Sequence, residues 1–154
     1  MASFENILVP TDFSAGSYAA LGYAAFLAQR LGSNVDVLAV YEAPIGIDPD
    51  ARVTQPGQSR PETLAEILRQ TTEKKLHDFL SDVPGAKGLT LRGRVEQGNP
   101  AEVIVRSARA GGVDLVCMGT KGIGAGGRGP VGSVLEKVIR DAPCPVLAVR
   151  VKEA

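Results

Sequence analysis

Little in this chain of 154 residues offers metal or redox chemistry: it has two cysteines and one histidine. Two cysteines make neither a disulfide framework nor a zinc site. Cys117 lies in an apolar run and Cys144 sits between two prolines, so both read as small buried or half-buried thiols. His77 falls in a helical pattern and reads as a solvated or partly packed helix residue; no Cys–His or Ser–His–Asp arrangement can be placed, and no catalytic residue is assigned. Charge of one sign is also lacking. Lys plus Arg number 17 and Asp plus Glu number 17, so no basic excess marks nucleic acid as a bulk partner. No apolar stretch reaches membrane length, and MASFENILVPTD lacks the basic and apolar regions of a signal peptide. The expected location is the cytoplasm, without a membrane partner. An apolar content of 44% is enough for one buried core, and the length suits a single domain over residues 1–154.

What is present is alternation. Ile7-Leu8-Val9 is a short continuous apolar run that stops at Pro10-Thr11-Asp12. A helical pattern rich in small residues follows from Ser14, with Gly32 placed to end it. VDVLAVY, 35–41, reads as a second strand. Residues 42–61 carry four prolines and two glycines and read as one long loop whose composition suggests mobility. Residues 63–83 form an amphipathic helix, and LTLRGRV, 89–95, alternates as a strand near an edge. Asn99-Pro100-Ala101-Glu102 is a helix start in which Asn99 caps, Pro100 takes the first position and Glu102 can close a capping box. VDLVCM, 113–118, is the fourth strand, residues 133–141 the fourth helix, and 146–151 the last strand. Strand and helix alternate throughout. The fold class is therefore α/β: a doubly wound, Rossmann-like, five-stranded parallel sheet with helices on both faces. Ligands of such sheets bind at the carboxyl ends of strands where strand order reverses. The loop after the first strand and the one after the fourth face one crevice if those strands are neighbours.

The second of those loops, MGTKGIGAGGRGPVGS, has seven glycines among its 16 residues, from Met118 to Ser133. Gly122, Gly124 and Gly127 spell the dinucleotide fingerprint G-x-G-x-x-G. The helix, however, begins only near Ser133, and the motif follows the fourth strand rather than the first. Gly127 to Ser133 has the glycine spacing of a P-loop but lacks its lysine. A third template, G-x2-G-x9-G-[ST], matches at every required position: Gly119, Gly122, nine residues, then Gly132-Ser133. With ILVPTDFS near the start and RDAPCPVLAVR near the end, the chain resembles the universal stress protein family, ATP-binding type, from Asn6 to Arg150.

That resemblance implies strand order 3-2-1-4-5, which sets the first and fourth strands side by side. It implies ATP as ligand, with AMP or ADP as alternatives, and Mg²⁺ or Mn²⁺ arriving with the phosphates. By resemblance Asp12 holds the ribose hydroxyls, Pro10 and Thr11 shape the loop against the adenine side, and Val40 meets adenine by its backbone. Met118, Gly119, Thr120 and Gly122 let the chain pass close to ribose and phosphates. Gly132, Ser133 and Val134 present N–H groups and a hydroxyl to phosphate at a helix N-terminus, and Lys121 and Arg128 can neutralise its charge. Competing structural roles stand beside these: Asp12 can cap the first helix, Ser133 can form a capping box with Glu136, and Gly119 and Gly122 can be turn residues. The insert IGAGGRGPV is richer in glycine than is usual in the family, which suggests a loop that orders over the triphosphate on binding. The family implies a homodimer through the edge strand Val146–Lys152. The expected function is an ATP-binding module in stress response or signalling; the alternatives are a slow ATPase and a dimeric interaction protein with a degenerate nucleotide site.

Overall fold

The computed structural model describes residues 2–121 and 131–151. Its elements are β1 (Asn6–Thr11), α1 (Ala15–Leu31), β2 (Asn34–Tyr41), β3 (Arg52–Val53), β4 (Glu62–Thr63), α2 (Leu64–Leu80), β5 (Leu91–Gln97), α3 (Pro100–Ala110), β6 (Leu115–Gly119), α4 (Ser133–Asp141) and β7 (Val146–Val149). The main sheet is parallel, in the order β5-β2-β1-β6-β7. Counting only its own strands, that is 3-2-1-4-5, the expected winding.

The apolar runs in the strands follow from burial on both faces. Ile7 and Val9 point to one side, with Val35, Val37, Leu115 and Cys117, beneath Ala20, Leu21, Ala24 and Ala28 of α1 and Leu76 of α2. Leu8, Leu38, Val116 and Met118 point to the other, beneath Val103, Ile104 and Ala108 of α3 and Leu135 and Val138 of α4. The many alanines of α1 let that helix lie close on the central strands.

The ends of the elements refine the sequence reading. Gly32 ends α1 at φ 71°, its N–H donating to the Ala28 carbonyl, as its position suggested. α2 begins with a capping box the sequence reading had passed over: Glu66 N–H donates to Thr63 Oγ1 at 3.1 Å and Thr63 N–H donates to Glu66 Oε2 at 2.8 Å. At α3 only half of the expected box forms. Asn99 Oδ1 accepts from the Glu102 N–H, while the Glu102 carboxylate reaches Lys137 of α4 at 3.7 Å. The stretch 42–61, expected as one long loop, carries a small hairpin instead. Arg52–Val53 pairs antiparallel with Glu62–Thr63, and the Leu64 and Ala65 N–H groups donate to the Ala51 and Pro49 carbonyls. No described helix is long and apolar enough to cross a membrane.

Candidate functional site

The β1–β6 pairing runs through Ile7↔Leu115 and Leu8↔Val116, and both strands then continue, to Thr11 and Gly119. β1 sends its crossover through α1 to β2 on one side, while β6 flanks it on the other. The carboxyl ends of β1 and β6 therefore frame the switch point of the sheet. A cavity of about 580 Å³ opens there, a size that suits a small-molecule ligand.

Residues from six elements meet in it. The end of β1 and its loop contribute Pro10, Thr11 and Asp12; β2 contributes Val40; β6 and its loop contribute Met118, Gly119, Thr120 and Lys121; the start of α4 contributes Gly132, Ser133 and Val134. Gly122 and Arg128, the other two positions singled out in the sequence, lie outside the described residues, as does the insert IGAGGRGPV except for Val131. The sequence reading missed Ser14 and Ser17 of the α1 start, Leu38 of β2, Pro100 and Ile104 of α3, and Leu135 and Glu136 of α4. Two of these had a signal. Leu38 shares a strand face with Val40, and a helix starting at Asn99-Pro100 directly after a strand must pass over that strand's carboxyl end.

The β1 loop is built by a chain of hydroxyls. Phe13 N–H donates to Thr11 Oγ1 at 2.9 Å, and Thr11 Oγ1 lies 2.9 Å from Ser17 Oγ. Ser17 Oγ also lies 3.0 Å from the Ser14 carbonyl, which can take its proton when Thr11 donates to Ser17. Thr11 and Ser17 are both buried, and this chain satisfies them. The cap of α1 is Ser14, whose side chain accepts from the Ser17 N–H at 3.2 Å. Asp12 is not the cap. It accepts from the Ser14 N–H through Oδ1 at 3.0 Å and stands exposed at the cavity.

The opposite wall is the start of α4. Gly132, not Ser133, occupies the N-cap, with no side chain capping it, and Ser133 is the first helical residue. The capping box read from Ser133 and Glu136 does not form, because the residue at the cap carries no side-chain acceptor. Gly132 N–H donates to the Thr120 carbonyl at 2.8 Å and Glu136 N–H donates to the Gly132 carbonyl at 3.0 Å. Between them, Ser133, Val134 and Leu135 have no carbonyl four residues back within the helix, so their N–H groups and the positive end of the helix dipole face the cavity mouth. A glycine is required at Gly119 for a reason the sequence did not show. A Cβ there would stand 2.5 Å from the carbonyl carbon of Gly16, in the first turn of α1, and a Cβ on Gly16 would stand 2.5 Å from the Lys121 carbonyl oxygen. The two backbones touch, and this contact seats α1 against the crevice.

Other reactive groups lie apart from this site. Burial pushes the Cys117 thiol up to about 12, and its Sγ donates to the Ala20 carbonyl at 3.3 Å. Cys144 is half-buried, and burial raises its thiol as well. His77 is exposed on α2. Among the described residues no group of three His, Cys, Asp or Glu side chains is gathered to hold a metal.

Known proteins share this architecture. The universal stress protein family model matches residues 3–150. The universal stress protein in the QAH/OAS sulfhydrylase 3' region of Thermus aquaticus is 36% identical over 148 residues, which are 96% of this chain and 99% of that protein. The solved structure of universal stress protein UspA from Lactobacillus plantarum superposes with a TM-score of 0.68 at 25% identity, covering 97% of this chain and all of that one (100%). A universal stress protein solved in complex with cAMP shares the fold with a TM-score of 0.69 at 23% identity, covering 98% of this chain and 100% of that one. The family match across nearly all of its length, together with the Thermus relative, establishes that this chain belongs to the universal stress protein family.

Proposed function

We propose that this protein is an ATP-binding module of stress response or signalling, its nucleotide lying across the crevice between β1 and β6. The observation that carries the reading is the opposition of two kinds of wall in one cavity. On one side stands the Asp12 carboxylate, an acceptor suited to a pair of ribose hydroxyls. On the other, the open first turn of α4 offers N–H donors to phosphate. Leu38, Val40 and Ile104 give the cavity an apolar side against which a base can lie. In this reading Gly119, Thr120 and Gly122 pass close to the ribose and phosphates, and Lys121 and Arg128 offset phosphate charge. The cAMP complex of the fold relative supports an adenine nucleotide as the ligand class. A divalent cation fits only as a companion of the phosphates. Asp12 and Ser133 offer one carboxylate and one hydroxyl, which suits Mg²⁺ held largely by phosphate and water.

The chain would act as a dimer. β7 lies at the edge of the sheet, and an apolar edge left open invites pairing with a second copy. The described part of the expected strand is Val146–Val149; Lys152 lies outside the described residues.

The test is to purify the protein without added nucleotide, denature it and identify what is released. Adenine nucleotide near one per chain supports the binding module. No nucleotide, and no uptake of added ATP, would favour an interaction protein with a degenerate site. Phosphate release that disappears in Asp12→Ala and Ser133→Ala would favour a slow ATPase.

A further inference from the structure

The residue beside Asp12 has an unusual backbone. Phe13 lies at φ 65°, the one described residue other than glycine with positive φ. A bulky side chain is disfavoured in the left-handed region because its Cβ crowds the following carbonyl. Such a residue persists only where its surroundings over-determine it.

Three contacts do so. Phe13 N–H donates to Thr11 Oγ1 at 2.9 Å, and Ser14 N–H donates to Asp12 Oδ1 at 3.0 Å. The third contact lies on a different element: the Phe13 ring meets Phe79 of α2 edge to face, centroids 5.7 Å apart at 79°. Phe79 is itself steadied by Tyr18, 5.8 Å away at 80°, whose hydroxyl donates to the Asp82 carbonyl at 2.8 Å. If Phe13 relaxed to ordinary negative φ, the chain would turn by roughly 130° between Asp12 and Ser14. The hydrogen bond between those two residues would not survive the turn.

We propose that Phe13 is a positioning residue: its left-handed backbone sets the direction of the Asp12 carboxylate in the crevice, and the Phe79 ring of α2 holds it there. This rests on the reading that Asp12 takes the ribose hydroxyls. It adds a route by which whatever moves α2 changes nucleotide affinity, although α2 does not line the cavity.

The experiment compares calorimetric affinities for ATP and for its 2′,3′-dideoxy analogue, which lacks the hydroxyls Asp12 would hold. Phe79→Ala removes the support. Phe13→Ala removes the ring while keeping the Cβ that disfavours positive φ, so the backbone loses its support. Both are expected to weaken ATP about tenfold, the scale of one lost aromatic pair, and to leave the analogue within about twofold. Asp12→Ala is expected to show the same selective loss, and adding Phe79→Ala to it little more. Phe79→Tyr keeps a ring and should keep the affinity. Equal losses for ATP and analogue, or no loss, or an Asp12→Ala without selectivity, would overturn the positioning role. If Phe79→Ala does not fold, Phe13→Ala decides alone. A wild-type protein that takes up neither nucleotide would overturn the crevice reading itself.

Discussion

Substituting Gly119 by alanine is the sharpest structural perturbation this crevice offers. The new Cβ would lie 2.5, 2.7 and 2.8 Å from the carbonyl carbon, carbonyl oxygen and Cα of Gly16. Carbon atoms rest about 3.5–4.0 Å apart, so the shortfall is about 1 Å. Neither side holds a side chain that can swing away. One partner is the first turn of α1 and the other the end of a central strand, so relief requires moving one against the other. Overpacking of this kind costs about 1–3 kcal/mol, and a clash between two backbones belongs at the upper end. At ~3 kcal/mol and about 2–4 °C per kcal/mol for a domain of this size, Tm should fall by about 6–12 °C. Gly16→Ala should behave alike, because its Cβ meets the Lys121 carbonyl oxygen at 2.5 Å. The double variant should cost less than the sum of the two, since one displacement relieves both. Gly22→Ala is the control. It lies in the same helix with nothing within 4 Å of its Cβ position, and should raise stability by about 0.5–1 kcal/mol through its helix propensity. Thermal unfolding by circular dichroism reads all four variants. A Gly119→Ala protein melting within about 2 °C of wild type would refute the contact reasoning.

Four further outcomes follow from the geometry. With its thiol pushed up to about 12 by burial, Cys117 should resist alkylation at pH 8 in the native protein and react only after unfolding, while half-buried Cys144 reacts slowly; mass spectrometry of labelled peptides distinguishes them. Thr63→Ala should cost about 1 kcal/mol by removing the α2 cap. The Glu66 carboxyl is held below the ordinary glutamate range by the Thr63 backbone N–H and the Thr63 hydroxyl, so its contribution is present at neutral pH and is lost as pH falls through its lowered folded value; the stability gap to Glu66→Gln should close in acid and stay constant around pH 7. The carbonyls of Pro145, just before β7, and of Val149 accept from Val116 of β6 and from Thr120, just after β6, so by alternation the Ala148 N–H faces the open edge. Ala148→Pro should therefore leave the monomer folded and convert a dimer into monomer by light scattering, since proline is tolerated where an edge N–H faces outward.

The doubly wound parallel sheet was legible because burial on both faces leaves continuous apolar runs, and Ile7-Leu8-Val9 and Leu115–Met118 are such runs, while the strand order came with the family resemblance. The residues expected at the crevice came with the family resemblance, which the glycine spacing after the fourth strand and Pro-Thr-Asp after the first carry. What stayed hidden depends on contacts distant in sequence or on single torsions. Nothing local marks Gly16 as the partner of Gly119, about 100 residues on, since a glycine in a small-residue helix reads as one more small residue. Phe13 gave no sign of positive φ, because that torsion is imposed by Thr11 and by Phe79, which belongs to another helix. Ser14 rather than Asp12 caps α1, and Gly132 rather than Ser133 caps α4; with several cap-competent residues in a row, hydrogen-bond geometry chooses among them. The β3–β4 hairpin was unreadable because strands of two residues carry no period.

In the proposed reading the crevice between β1 and β6 binds ATP through Asp12 at one wall and the α4 N-terminus at the other. Calorimetric titration of Mg²⁺–ATP into nucleotide-free protein tests it most directly. Saturable binding at about one ATP per chain is expected, weakened at least about tenfold by Asp12→Ala. Absence of binding at millimolar ATP, or binding of wild-type strength in Asp12→Ala, would contradict it.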